Sequence, residues 1–186
     1  FDDDMVKSTR IFSISKLKDS VKIIDSFIYS QEEQLIILTS IGRIFKYDLS
    51  NQSLTASTKQ SKGLVLVKLL PSEKVVSCCK SKDIDTLNLI SKKGKFFKVK
   101  INDIYNSFNS KLGYINTKIQ LKNDQFIKIL PNNQYVDIET NKNKSARINF
   151  NKLSCYSNKN MIKIDFLELE QDEYLENCFR IETLKN

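Results

Sequence analysis

Short apolar runs alternate with polar turns along the whole chain. The runs are rich in β-branched and aromatic residues, as β-strands are, and the segments between them carry Ser, Asn, Gly and Lys, which favour turns. The runs lie at residues 35–38, 44–49, 64–70, 87–90, 96–101, 114–119, 126–130 and 161–169. Residues 101–108 allow a helix of a single turn at most. The pattern predicts an all-β protein.

One turn motif occurs three times. Residues 41–46 read IGRIFK, residues 93–98 read KGKFFK and residues 142–147 read KNKSAR. Gly42, Gly94 and Asn143 are therefore equivalent, at spacings of 52 and 49 positions. Asparagine can replace glycine here because it tolerates the backbone conformation of tight turns. A period near 50 residues built from short strands predicts propeller-like blades.

Each unit also has a second half, a turn followed by an alternating apolar strand. It lies at residues 61–69, 111–119 and 159–166, and residues 9–17 carry it without a first half. We therefore divide one domain, residues 1–186, into a partial unit 1–32 and three whole units, 33–82, 83–133 and 134–186. Because the chain begins at Phe1, we expect it to be a fragment of a longer protein.

The charge is unevenly spread. The formal net charge is +8, but residues 33–133 hold 17 Lys and Arg against 7 Asp and Glu, a net charge of +10, while each flank carries −1. A basic sector of this kind indicates a polyanionic partner. No apolar run approaches the roughly 20 residues of a membrane helix, and the first ten residues lack the features of a signal peptide, so no membrane partner is expected.

Alternation along the strand after each turn assigns its two faces. One face carries the apolar residues, and the other presents basic residues that we expect to point outward on a basic rim. The turns add a further basic residue in each unit. The candidate phosphate-binding residues are Arg43, Lys46, Lys59, Lys62, Lys93, Lys95, Lys98, Lys100 and Lys111, followed by Lys142, Lys144 and Arg147 in the more acidic third unit. The alternative is that these strands need lysine only for solubility and edge protection.

Catalytic and metal chemistry have little support in the sequence. There is no histidine, and no serine or cysteine lies in a nucleophile motif. Cys78, Cys79, Cys155 and Cys178 lack CxxC spacing, so they are interpreted as free thiols. The acidic residues at 2–4 fit a solvated terminus better than a magnesium site. No catalytic residue, metal or cofactor is therefore expected in this domain.

The acidic stretch 165–176 has two interpretations. It is either a solvated strand pair, which we favour, or an internal competitor for the basic rim.

The two-part repeat resembles the C-terminal repeats of the A subunits of bacterial type IIA topoisomerases, namely DNA gyrase and topoisomerase IV. Residues 35–49 with 61–76, and 87–101 with 111–130, match that repeat closely, and residues 135–150 with 159–179 match it loosely. The resemblance implies an all-β β-pinwheel. This is a propeller-like disc of about four four-stranded antiparallel blades, with strands exchanged between neighbours and duplex DNA bent around the basic rim.

The resemblance also implies a larger, cytoplasmic assembly associated with the chromosome. Its partners are duplex DNA, a topoisomerase B subunit, and a second A subunit, the last two reached through an N-terminal region absent from this chain. ATP and Mg²⁺ belong to other parts of that enzyme. The first blade of gyrase carries a glycine-rich box with glutamine and arginine, the gyrase box. Residues 59–63 (KQSKG) retain only a fragment of it, so topoisomerase IV remains an alternative to gyrase. A protein-interaction propeller of the WD or kelch kind is the alternative function, although the chain has no tryptophan.

Overall fold

A computed structural model of the protein describes most of the three whole units and little of the first 31 residues. The described residues are 22–28, 32–48, 65–81, 86–107, 114–115, 121, 123–131, 135–150, 162–163 and 169–180. Within them the chain forms β-strands and one 3-10 helix, Ile101–Asp103. That helix is a single turn, the helical alternative that the sequence allows within residues 101–108.

The strands are β1 (Gln34–Thr39), β2 (Arg43–Asp48), β3 (Val75–Ser81), β4 (Thr86–Ser91), β5 (Lys95–Lys100), β6 (Tyr114–Ile115), β7 (Phe126–Pro131), β8 (Tyr135–Thr140), β9 (Ser145–Asn149), β10 (Ile162–Lys163) and β11 (Leu175–Arg180). They form three antiparallel sheets. The first has the order β3-β1-β2-β6, the second β7-β4-β5-β10 and the third β11-β8-β9. Each sheet is built on a hairpin of the same kind, β1-β2, β4-β5 or β8-β9. The prediction of an all-β protein is confirmed.

Strands are exchanged between neighbouring units, as expected. β6 belongs by sequence to the second unit but pairs with β2 of the first, where Ile115 lies opposite Arg43. β10 belongs to the third unit and pairs with β5 of the second in the same way, Lys163 lying opposite Lys95. A sheet is therefore completed by the unit that follows it.

One expected strand does not form. Residues 65–70 are equivalent in sequence to β6 and β10, yet they have no strand pairing. β6 and β10 pair with the hairpin of the preceding unit, and no hairpin precedes β1 among the described residues. A strand needs a partner for its backbone hydrogen bonds, so the prediction for residues 64–70 is wrong here. Residues 9–17 of the partial unit lie outside the described residues.

Apolar side chains fill the spaces between the sheets. Ile36, Leu38 and Ile44 of the first sheet pack against Phe97 and Phe126 of the second. The other face of the second sheet packs on the third: the cluster there includes Ile90, Phe96, Val136, Ile148 and Phe150. Aromatic pairs lie at both interfaces, with ring centroids 5.5 Å apart for Phe97 and Phe126 and 5.6 Å apart for Phe96 and Phe150. The second sheet is thus buried on both faces.

The third sheet turns a polar face away from the second. Arg147 and Asp137 are opposite one another on β9 and β8, and Ser145 lies opposite Glu139. In the first sheet the equivalent pairs are Lys46 with Ile36 and Ile44 with Leu38, and both isoleucines and the leucine are buried. Polar outer faces are typical of the terminal units of repeat proteins. This face of the third sheet is suited to contact with water.

The repeated turn has the backbone conformation that its sequence predicts. The φ angles of Gly42, Gly94 and Asn143 are +91°, +72° and +58°. Each residue donates its N–H to the carbonyl three positions earlier, at 3.0, 3.1 and 2.9 Å. At Gly42 a Cβ atom would also lie 2.7 Å from Phe126 Cε2. Space as well as backbone angle therefore requires glycine in the first turn, whereas the third turn accepts Asn143.

Candidate nucleic-acid interface

A second turn, just before β3, β7 and β11, brings an acidic residue to each hairpin. Ser72, Asn123 and Asp172 have positive φ angles of 64°, 53° and 68°. The next residues in the chain are Glu73, Asp124 and Glu173. These acids recur at spacings of 51 and 49 positions, the same period as the glycine turn. They were not predicted from the sequence, although this shared period was visible.

In the first sheet the acid neutralises the turn cation completely. Arg43 donates from Nε to Glu73 Oε1 at 2.8 Å, and its Nη2 bonds both to Glu73 Oε2 and, at 2.7 Å, to the carbonyl of Lys68. The side chains of Arg43 and Glu73 are 5% and 0% exposed. Arg43 is therefore part of a buried ion pair. We expected its guanidinium to be available to phosphate, and its burial corrects that expectation.

The pKa of Glu73 reflects this pairing. Burial alone would raise the pKa of the carboxyl group, but hydrogen bonds from Arg43, from the Leu70 N–H and from Thr39 outweigh burial and leave the pKa below its ordinary value. The carboxylate is thus charged together with the guanidinium, as a buried pair requires.

In the second sheet the acid, Asp124, bonds mainly to groups of the turn and less to the lysine side chains. Asp124 accepts from the Ser91 hydroxyl at 2.7 Å and from the Lys93 N–H at 3.0 Å. Its carboxylate lies 3.9 Å from Lys95 Nζ, and the Lys95 side chain is 23% exposed. Only one lysine of this hairpin therefore has an acid within reach among the described residues, and that contact is long.

In the third sheet two acids take up both turn lysines. Lys144 Nζ donates to Glu170 Oε1 at 2.8 Å and to Glu173 Oε2 at 3.0 Å. Lys142 Nζ donates to Glu170 Oε2 at 2.9 Å. The hydrogen bonds from these two lysines hold the pKa of Glu170 at about 2. Glu170 and Glu173 therefore form ion pairs with basic residues of the turn, as the alternative interpretation of the acidic stretch expects, while Glu170 is also 60% exposed. Asp165 and Glu168 lie outside the described residues.

Lys46 does not point outward as expected. Its Nζ donates to the carbonyl of Ile101 in the second unit at 3.2 Å, and the side chain is half-buried. Burial lowers the pKa of this lysine. Because Lys46 shares its strand face with Ile44, which packs against the second sheet, the face that was expected to be the rim is here the interface between two sheets. The predicted outward position of Lys46 is wrong.

The equivalent residues of the other two hairpins differ from Lys46 and from each other. Arg147 is exposed and donates from Nε and Nη2 to Asp137 at 2.8 and 2.9 Å. Lys98 is half-buried and Lys100 and Lys93 are exposed. None of these three lysines has an ion-pair partner within the part of the chain that the structure describes. The second hairpin therefore carries the uncompensated positive charge.

Three candidates, Lys59, Lys62 and Lys111, lie outside the described residues. The structure also exposes cations that were not predicted from the sequence, among them Lys68 and Lys74 beside the second turn of the first sheet. Lys92 lies with Nζ 3.9 Å from the centroid of the Tyr174 ring. Lys74 and Lys92 have no lysine at the equivalent positions of the other units, so a comparison of equivalent positions does not find them, whereas Lys68 recurs as Lys118.

The turns of successive sheets are joined into a belt by backbone hydrogen bonds. Phe126 N–H donates to the Ser40 carbonyl at 3.0 Å between the first and second sheets, and Leu175 N–H donates to the Lys92 carbonyl at 2.8 Å between the second and third. A cleft of about 720 Å³ lies between the second and third sheets, lined by Lys92 and Lys93 on one side and by Glu170 on the other. Lys93 of the second sheet and Glu170, which pairs with the turn lysines of the third, thus line the same cleft.

Other kinds of site find no support in the described residues. No group of three or more Cys, Asp or Glu there has the arrangement of a metal site. Cys78, Cys79 and Cys178 are not joined in disulfide bonds, as expected, while Cys155 lies outside those residues. Within the same residues no helix is long and apolar enough to cross a membrane.

Comparison with known structures settles the fold. It is a β-pinwheel. A DNA gyrase A C-terminal domain superposes with a TM-score of 0.70 at 19% sequence identity, covering 96% of this chain and 60% of that one. A topoisomerase IV C-terminal domain superposes with a TM-score of 0.65 at 13% sequence identity, covering 90% of this chain and 53% of that one. The E. coli ParC C-terminal domain superposes with a TM-score of 0.59 at 16% sequence identity, covering 82% of this chain and 64% of that one.

The sequence itself matches no protein-family model and no curated protein. The β-pinwheel chain spans about 60% of the gyrase A domain with which it superposes. The shared fold is that of the C-terminal domains of gyrase A and topoisomerase IV, and the resemblance seen in the repeats is confirmed at the level of the fold.

Proposed function

We propose that this β-pinwheel is the DNA-binding and DNA-bending C-terminal domain of a type IIA topoisomerase A subunit, either gyrase or topoisomerase IV. The observation that carries the proposal is the second hairpin, where Lys93, Lys98 and Lys100 have no acidic partner among the described residues. In this role the domain presents duplex DNA for strand passage. Catalysis by the ATP-dependent enzyme, and contacts with its B and second A subunits, belong to other regions of the protein.

Phosphate contacts supply the affinity in this mechanism. Each lysine that neutralises a phosphate releases a counterion, so binding is independent of base sequence and weakens as salt rises. Bending a duplex by 40 to 90° costs on the order of 1 to 6 kcal/mol, so several contacts have to act together. The chain net charge of +8 favours association with a polyanion, and a chromosome-associated location follows from that activity.

A salt titration tests the proposal. The full chain is titrated into fluorescent 30-base-pair duplexes of two unrelated sequences, and anisotropy is measured from low to physiological salt. We expect equal affinities for the two duplexes and a log–log salt dependence with a slope of about −0.9 for each phosphate contacted. Absence of binding at low salt would leave a protein-interaction propeller as the better function.

A further inference from the structure

The third hairpin carries two lysines that one glutamate holds. Glu170 receives Lys144 on Oε1 at 2.8 Å and Lys142 on Oε2 at 2.9 Å. A carboxylate has two oxygens, and here each of them accepts from a different ammonium group. A single side chain thus contacts both cations of this turn, whereas in the equivalent turn of the second unit Lys93 has no ion-pair partner among the described residues and Lys95 has one long contact with Asp124.

The pairing lies at the surface, where a phosphate could otherwise reach it. The side chains of Lys142, Lys144 and Glu170 are 39%, 41% and 60% exposed. Exposed ion pairs are individually weak because water screens them, so these pairs contribute little to the fold. A DNA phosphate that approaches these lysines nevertheless meets the negative charge of the carboxylate to which the ammonium groups already donate, so their attraction for phosphate is reduced.

The other two units have no such acid. Glu170 donates its N–H to Glu173 Oε2 at 2.9 Å, and Leu70 does the same to Glu73 at 2.8 Å, which shows that these two positions are equivalent. In the second unit the residue three positions before Asp124 is Leu121, which packs against the first apolar cluster. Leucine cannot accept a hydrogen bond from lysine, so this interaction is specific to the third unit.

We propose that Glu170 masks Lys142 and Lys144 from nucleic acid, so that a duplex bound to the second hairpin does not extend its phosphate contacts onto the third. The inference rests on the proposed function, because it concerns which lysines the DNA reaches. Glu170 is then a residue that limits the DNA path, and the acidic turn acts as an internal competitor for phosphate.

Replacing Glu170 by glutamine tests the mask, with Glu176→Gln as the matched control. Glu176 is exposed on β11 and makes no ion pair among the described residues. Both variants therefore lose one negative charge, but only Glu170→Gln removes the acid that Lys142 and Lys144 share, while Lys144 keeps its contact with Glu173. Binding of a 30-base-pair duplex to the full chain is measured by anisotropy. We expect Glu170→Gln to bind about five- to tenfold more tightly at 0.1 M salt, with a salt slope steeper by about 0.9 to 1.8. Glu176→Gln should stay within about twofold of the unaltered chain.

The outcomes separate the mask from the proposed function. If the unaltered chain binds and the two variants have equal affinities, the mask is wrong and DNA binding stands. If only Glu170→Gln binds, the mask stands and DNA binding by the unaltered protein fails. If no variant binds, both fail. Adding Lys142→Gln and Lys144→Gln to Glu170→Gln should abolish the gain, and persistence of the gain would show that released lysines are not its cause.

Discussion

The second and third hairpins share a turn, a strand register and a buried acid, yet they differ in what surrounds their basic residues. In the second, Asp124 bonds mainly to the turn itself, and Lys93, Lys98 and Lys100 keep their charge unpaired within the described residues. In the third, Lys142, Lys144 and Arg147 each meet a carboxylate within 3.0 Å. Equivalent positions in a repeat therefore predict the placement of a cation but not its availability. Availability depends on residues that can lie about thirty positions away in sequence.

Removing three charges from each hairpin in turn should give the largest contrast. We expect Lys93→Gln, Lys98→Gln and Lys100→Gln together to weaken duplex binding roughly a hundredfold at 0.1 M salt and to flatten the salt slope by about 2.7, because three phosphate contacts are lost. The matched triple Lys142→Gln, Lys144→Gln and Arg147→Gln should change affinity by less than about threefold. Anisotropy titrations of both variants check this contrast. Equal losses would mean that net charge alone governs binding.

The first sheet extends the comparison, because Lys46 is the residue of its hairpin that is equivalent in the repeat to Lys98. Lys46→Gln should lower the free energy of unfolding by about 1 kcal/mol, since the Lys46 Nζ bond to the Ile101 carbonyl at 3.2 Å is lost between the sheets. Lys98→Gln should change it by less than about 0.5 kcal/mol, because the half-buried Lys98 side chain makes no hydrogen bond or ion pair among the described residues. Urea unfolding measures both values. If the two variants were equally stable, Lys46 would not be a structural residue of the interface.

The smallest expected effect is the part of the pH dependence of stability that comes from Glu170 in the third hairpin. The pKa of Glu170 is lowered from 4.5 to about 2, so its ion pairs contribute stability that is fully present above pH 4.5 and is lost as pH falls through about 2. The unaltered chain should therefore have a slightly higher thermal midpoint than Glu170→Gln at pH 7, and the two midpoints should converge towards pH 2. Thermal unfolding at pH 7, 4.5 and 2.5 measures the difference. A gap that widens on acidification would contradict this assignment.

Much of the fold could be predicted from local pattern. Gly42, Gly94 and Asn143 are the turn residues that the sequence indicates, and the strands on either side of Gly42 and Gly94 coincide with predicted apolar runs. The predicted runs did not include β8, the strand before Asn143. They also missed β3 and β11, whose residues include Ser, Cys, Glu and Asn and lack a clear apolar alternation. These strands are edge partners of an apolar hairpin, so their backbone pairing decides their conformation more than their side chains do.

The candidate site was less predictable, and Lys46 and Arg43 show why. A face that carries lysine was interpreted as solvent-facing, but both faces of a strand can be buried when sheets stack on one another. Lys46 then reaches a backbone carbonyl of the next unit, and Arg43 reaches Glu73, thirty residues away in sequence. Neither contact follows from alternation, because alternation gives only the side of a strand and not its neighbour.

The sequence alone determined the repeated unit, its turns, its β-structure and the concentration of positive charge in the middle of the chain, because each depends on residues close together in sequence. Only the tertiary structure decided that β6 and β10 complete the preceding sheet, that residues 65–70 form no strand, and which lysines are paired. The physical reason is that a charge is neutralised by whatever lies within a few ångströms, and in this fold the acid comes from a turn that packs beside the hairpin. The same lysine pattern therefore gives one long ion pair beside Asp124, at 3.9 Å, and close ion pairs beside Glu170 and Glu173, at 2.8 and 3.0 Å.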